Sequence, residues 1–234
     1  MARLNVRDLI EREAKATARK DEWRSIYEDC YEFALPQRNL YSGYYEGGTP
    51  GQGKMARVFD STAIHATQRF ANRIQAGLFP PQKAWCRLEA GSGIPEEQQP
   101  QAQAALDAYT TRMFEIMRQT NFDLAMGEFL LDLCVGTAVM MVTSGDEVTP
   151  IRFTSIPQYL VAIEEGTFGN VDNVYRKLRM KAEAIPQEFP DADITVELKE
   201  AILQSPSKEI DLLDAVIYDY DSGVYCYHVI WPGK

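Results

Sequence analysis

The sequence predicts an α+β fold, with a helical section over residues 1–136 followed by a mostly antiparallel β-rich section over residues 137–234. Three observations carry that expectation. Apolar residues recur at spacings of three and four in successive stretches up to Val135. From Thr137 onward they alternate in twos, and capping or turn residues mark each change of period. With 45% apolar and 11% aromatic residues, the 234-residue chain can bury a sizeable core.

The first helix is expected from about Asn5 to Leu35, capped by Asn5, with Asp8 three residues on and Pro36 ending it. Its second half carries Trp23, Ile26, Tyr27, Cys30, Phe33 and Ala34 at helical spacing, a stripe expected to be buried. Its first half holds 11 charged residues between Arg3 and Glu22, including the acid-first pairs Asp8/Arg12 and Glu11/Lys15. A single helix of about 30 residues spans ~45 Å, so the polar half is expected to reach a neighbour or to lie on a solvated rim. Gln37–Phe59, rich in Tyr and Gly, reads as a long loop or loose hairpin. Asp60-Ser61-Thr62 supplies cap chemistry for a helix to about Gly77, with Ala63, Thr67, Phe70, Ala71, Ile74 and Leu78 as its apolar positions. Pro80-Pro81 stops it.

Ala84–Leu88 is expected as a strand and Gly91–Pro95 as a turn. A helix over Glu96–Arg118 would present Ala102, Leu106, Tyr109, Met113, Ile116 and Met117 on one face. The next, Phe122–Val135, is apolar enough to be central, with Gly136 placed to end it. Strands follow over Thr137–Thr143, Val148–Thr154, Tyr159–Glu164 and Val171–Met180, the first two joined by Ser144-Gly145-Asp146. A helix near Ile194–Leu203 precedes the strands Ile210–Tyr220 and Val224–Trp231, which flank the turn Asp221-Ser222-Gly223.

The charge balance of 24 Lys+Arg against 34 Asp+Glu, a formal −10, disfavours sequence-reading nucleic-acid binding, which relies on a dense field of cations. Cys30, Cys86, Cys134 and Cys226 are far apart and form no zinc pattern, so four buried reduced thiols are expected. Uninterrupted apolar stretches such as Ala138–Val142 are far short of a membrane span. Gly48-Thr49-Pro50-Gly51-Gln52-Gly53-Lys54 fits the phosphate-loop pattern, but Met55 stands where Ser or Thr would hold magnesium and no helix begins there. His65 and His228 lie in no catalytic or metal signature. The expectation is a non-enzyme with no catalytic residue, cofactor or metal.

One block is more specific. Arg57-Val58-Phe59-Asp60-Ser61-Thr62, Ala71, Leu78-Phe79-Pro80-Pro81 and Trp85 resemble the signature of the portal (head-to-tail connecting) proteins of short-tailed, podovirus-type bacteriophages. Upstream, Trp23, Tyr31 and Leu35-Pro36-Gln37-Arg38 are similar to the family's opening helix. Downstream, Asp132-Leu133-Cys134-Val135-Gly136-Thr137-Ala138, then Phe153 with Ile156-Pro157, and Gly169–Arg176 are similar to its helix-to-strand junction and following β section. The positions that carry the resemblance are Pro36, Asp60, Ser61, Thr62, Leu78, Pro80, Pro81, Trp85, Gly136, Thr137, Pro157 and Arg176, in structural rather than catalytic roles. Asp60–Thr62 would cap a helix entering a crowded interior. Trp85 would be a large apolar anchor presented by a stiff Pro-Pro turn.

The resemblance implies the wing part of a ring of twelve subunits at one capsid vertex, a virion component assembled in the host cytoplasm. Such a ring nucleates capsid assembly, conducts double-stranded DNA during packaging and ejection without sequence-specific binding, and holds the tail. Its partners would be other copies of itself, the major capsid and scaffold proteins, a tail adaptor and the terminase, with no membrane. Family members continue past this length into channel stem, clip and crown, so the chain is expected to be an N-terminal part, with motor docking outside it. The alternatives are another head-tail adaptor or assembly protein, or an NTP-binding protein using Gly48–Lys54. The charged first half of the opening helix and the loop Leu40–Gly53 are the expected intersubunit contacts. The acidity is regional, since residues 183–234 hold 3 bases against 11 acids, and a surface that DNA passes benefits from repelling phosphates.

Overall fold

The computed structural model describes residues 5–38, 58–81 and 83–233. The Tyr/Gly loop Leu40–Gly53 and the Gly48–Lys54 segment lie outside the described residues, as does Arg57. The chain divides into two compact units, one formed by Met1–Arg24 with Leu160–Lys234, the other by Ser25–Tyr159. The expected division at 136/137 is one of element type, because helices run to Val135 and strands begin at Val139. Compaction divides the chain elsewhere and returns the opening helix to the final strands.

The Ser25–Tyr159 unit is a helical layer with one hairpin. Its helices are α2 (Arg24–Ala34, starting one residue earlier), α3 (Thr62–Leu78), α4 (Gln99–Met117) and α5 (Phe122–Val135). Strands β1 (Val139–Ser144) and β2 (Ile151–Ile156) pair antiparallel in one continuous register, from Val139 opposite Ile156 to Ser144 opposite Ile151. As expected, α5 is central. It buries Phe122, Ala125, Met126 and Leu130, and Ala71 of α3 packs into the same cluster.

The other unit is built on a four-stranded antiparallel meander, β3 (Val161–Glu165), β4 (Val171–Lys181), β5 (Glu209–Asp219) and β6 (Val224–Ile230), in that spatial order. Alternation along β5 sends Leu213, Ala215 and Ile217 to one face and Ile210 and Leu212 to the other. The first face receives α1 (Val6–Asp21) through Leu9 and Ala16. The second is covered at one end by α6 (Ile185–Glu188) and α7 (Val196–Gln204), through Ile185 and Leu198.

Several expectations change. The long opening helix is two helices, broken at Glu22-Trp23, where the Trp23 amide donates to the Lys20 carbonyl. Its polar half is neither a rim nor a projecting arm. Leu9 and Ala16 are buried, Arg12 pairs with Glu164 of β3, and the Lys20 ammonium donates to the Val161 carbonyl. In the second half, Trp23 and Ile26 are exposed, and Tyr31 and Leu35 are buried instead.

Ala84–Leu88 forms no strand and joins no sheet among the described residues. Side chains of α4 take the place of a partner strand. The Leu88 amide donates to Thr110 Oγ1, the Ala90 amide to Gln103 Oε1, and Gln103 Nε2 returns a bond to the Leu88 carbonyl. The buried side of α4 is therefore Thr110 and Phe114, with Tyr109 exposed. α6 was not expected; Pro186 suits its first turn, where the missing N–H is harmless.

Candidate functional site

A buried polar cluster lies in the Ser25–Tyr159 unit, where α5 carries a carboxylate among apolar neighbours. Asp132 is 0% exposed, and an isolated charge there would cost several kcal/mol, so it needs partners. Pro36 supplies the geometry. It ends α2 and opens a short tight turn, Pro36–Arg38, held by the Arg38 amide bonding to the Leu35 carbonyl. That turn delivers Arg38, whose Nε and Nη2 donate to the two oxygens of Asp132 at 3.1 and 2.6 Å, while Nη1 reaches Glu128 at 3.3 Å. Tyr31 of α2 adds its hydroxyl to Asp132 at 3.1 Å. Burial alone would lower Arg38, but Asp132 and Glu128 outweigh it and raise its pKa, so the guanidinium keeps its charge.

Four residues beyond Asp132, Gly136 ends α5 for reasons of space. A Cβ there would come within 2.9 Å of Gln158 Oε1 and 3.2 Å of the Tyr27 ring. Gln158 is buried, one residue after the half-buried Pro157, in the short turn that follows β2. Gly136 thus joins helix to hairpin through close approach.

Trp85 is the anchor that the sequence suggests. It stacks on Phe122 with centroids 5.9 Å apart and meets Phe79 and Phe114 edge-on at 5.1 and 5.4 Å. Phe122 in turn meets Phe153 of β2 at 5.1 Å. Four separate segments are gathered around one aromatic stack. Neighbouring motif residues are less enclosed: Leu78 and Pro81 are exposed and Pro80 is half-buried. Asp60 does accept from the Thr62 amide and hydroxyl, at 3.0 and 2.8 Å, and this holds its carboxyl below the usual range. Asp60, Ser61 and Thr62 are all exposed, however, so the cap stands at the surface rather than in a crowded interior.

Arg176 belongs to the sheet unit. On β4 it lies directly opposite Asp214 of β5 and pairs with that nearly inaccessible carboxylate, which also accepts from the Tyr227 hydroxyl at 3.2 Å. On the opposite face, Glu164 accepts from Arg12, Asn173 and Tyr175. Thr137 is exposed between α5 and β1.

Sequence reasoning singled out Pro36 and Gly136; it placed Arg38 and Asp132 in family-like segments without pairing them, and it missed Asp214. The detectable signal was a lone acid in the apolar run Phe129–Val135, which demands a cation. The cysteines are free; Cys30, Cys134 and Cys226 are half-buried, but Cys86 is exposed, contrary to expectation. His65 is exposed on α3, and among the described residues no group of three His, Cys, Asp or Glu could hold a metal. No described helix is long and apolar enough to cross a membrane.

These clusters brace chain segments against one another. A comparison with curated proteins finds no match. A family model described as bacteriophage head to tail connecting protein matches residues 6–231, spanning both compact units and every motif position named above. The chain therefore belongs to the bacteriophage head-to-tail connecting protein family and is a phage head-tail joint protein.

Proposed function

We propose that the chain is a non-enzymatic subunit of the portal ring at one vertex of a podovirus-type capsid, twelve copies enclosing the conduit through which DNA is packaged and ejected. The observation that carries this reading is the family match over residues 6–231, nearly the whole chain. It makes the two units together the functional object, and both are braced internally by buried ion pairs. The ring meets the major capsid and scaffold proteins on its outside, a tail adaptor below and the terminase during packaging.

The acidic stretch supports a conduit that does not hold its cargo. Glu183, Glu188, Asp191, Asp193, Glu197 and Glu200 are all exposed, and Lys199 is the only base among residues 183–200. Such a surface repels passing phosphates. Negative-stain electron microscopy of the purified protein tests the proposal. Rings with a central opening are expected; a monomer at every salt and protein concentration contradicts it.

A further inference from the structure

We propose that the turn end of the four-stranded sheet in one copy docks onto the arginine face of α3 in a second copy. This rests on the ring reading and names the surfaces that would meet. The β3–β4 and β5–β6 turns lie at the same end of the meander. There the chain exposes Phe168, Val171, Tyr220, Val224 and Tyr225. The two tyrosines are 67% and 57% exposed, yet both are fixed, the Tyr220 hydroxyl on Asp172 and the Tyr225 hydroxyl on the Val171 carbonyl. Rings pinned in this way lose little entropy on binding, as interface anchors should. Around them stand Glu165, Asp172, Asp219 and Asp221, with no Lys or Arg in residues 163–175 or 216–231.

The complementary surface is on α3. Residues 61–88 contain no Asp or Glu, although the chain carries 34. His65, Arg69 and Arg73 follow one another at four-residue spacing on the side away from the buried Ala71, with exposed Phe70 beside them. Neither Arg69 nor Arg73 has a hydrogen-bond or ion-pair partner among the described residues. An apolar, aromatic, carboxylate-rimmed patch and an arginine row with a phenylalanine match in charge and in chemistry, since guanidinium groups both pair with carboxylates and stack on tyrosine. Two unlike patches on one chain make a head-to-tail contact, the kind that closes into rings. Two arginines and a histidine are too sparse a field for duplex DNA.

The test is sedimentation velocity on the whole chain at low salt, from micromolar to millimolar, with duplex-DNA anisotropy alongside. Self-association weakened by salt is expected. Arg69→Glu with Arg73→Glu should weaken it at least about tenfold, and so should Glu165→Arg with Asp221→Arg. A chain carrying all four changes should recover it. If either pair of changes leaves association intact, or the fourfold chain does not recover, this pairing is wrong and the ring reading stands. If the arginine changes abolish DNA binding while association persists, α3 is a nucleic-acid surface and the proposal fails. If the unaltered chain never associates, both readings fail.

Discussion

Each compact unit keeps one nearly inaccessible aspartate and satisfies it with an arginine and a tyrosine hydroxyl, but the two solutions come from opposite ends of the structural hierarchy. In the helical unit, Asp132 draws Arg38 from 94 residues away and Tyr31 from 101 away. No local rule puts those groups together, so the ion pair itself specifies where the Pro36–Arg38 turn sits against α5. In the sheet unit, Arg176 is already the cross-strand neighbour of Asp214 in the β4–β5 ladder. There the pair specifies register, because a one-residue slip would turn Arg176 toward the apolar face covered by α1. A buried charge pair thus locates a segment in one unit and locks an alignment in the other.

The largest expected effect sharpens this contrast. Arg38→Met leaves Asp132 buried with only Tyr31 and with Glu128 nearby, and should destabilise the Ser25–Tyr159 unit by about 4–5 kcal/mol. Urea unfolding gives the magnitude, and hydrogen exchange should show faster opening in residues 25–159 and little change in residues 160–230. Adding Asp132→Leu should recover most of the loss, since removing both charges removes the desolvation penalty. Arg176→Met should cost less, about 3 kcal/mol, because the ladder still aligns β4 with β5. Equal losses for Arg38→Met and Arg176→Met would break the distinction. Gly136→Ala, which drives a methyl into Gln158, should cost about 1–3 kcal/mol, read from the same denaturation curves.

The smallest effect is a pH response of the sheet unit. Burial pushes Glu164 up, but Asn173, Arg12 and Tyr175 together hold it below its ordinary 4.5. Its contribution is complete above that value and is lost as the pH falls through the depressed folded one. Tyr227 is pushed up to about 12 by burial first and then by Asp214, so its contribution is complete below 10 and disappears between 10 and 12. Tyr227→Phe should reduce the alkaline loss in a midpoint-against-pH series, the remainder coming from Tyr175, which burial also pushes up. Both groups are partly exposed, which keeps each effect small.

The sequence revealed these regions unequally, for physical reasons. From Thr137 onward the two-residue alternation and the Gly145 and Gly223 turns place every strand within a few residues of its position. α5 is equally clear, since it contains the apolar run Phe129–Val135, interrupted by one acid, and such a run has to be central. The opening helix misleads because helical period continues through Glu22-Trp23 without Gly or Pro, and the break arises from two halves serving different cores. Ala84–Leu88 misleads in the opposite way. Its composition suits a strand, but its backbone bonds go to Thr110 and Gln103, and no local pattern records which partner an extended segment will find. Among the motif positions, Trp85 and Gly136 announce themselves by size and by lack of it. Arg38, Asp132 and Asp214 do not, because a charge reads as surface until its burial is known.

The return of α1 to the final strands has a consequence for how the protein is made. Its docking face, including Ala162, Tyr175, Leu213 and Ala215, is translated long after Leu9 and Ala16 have left the ribosome. At ordinary elongation rates of about 5–20 residues per second, the helix waits on the order of ten seconds for its sheet. During that interval its apolar stripe has no native partner, while α3, α4 and α5 can already close around Trp85. The middle of the chain is therefore free to fold first and the two ends last, so that a nascent chain stalled before β5 would hold a finished helical unit beside an unfinished one. A population of such intermediates, each showing the same open stripe, is where a chaperone or an early wrong pairing between copies would act.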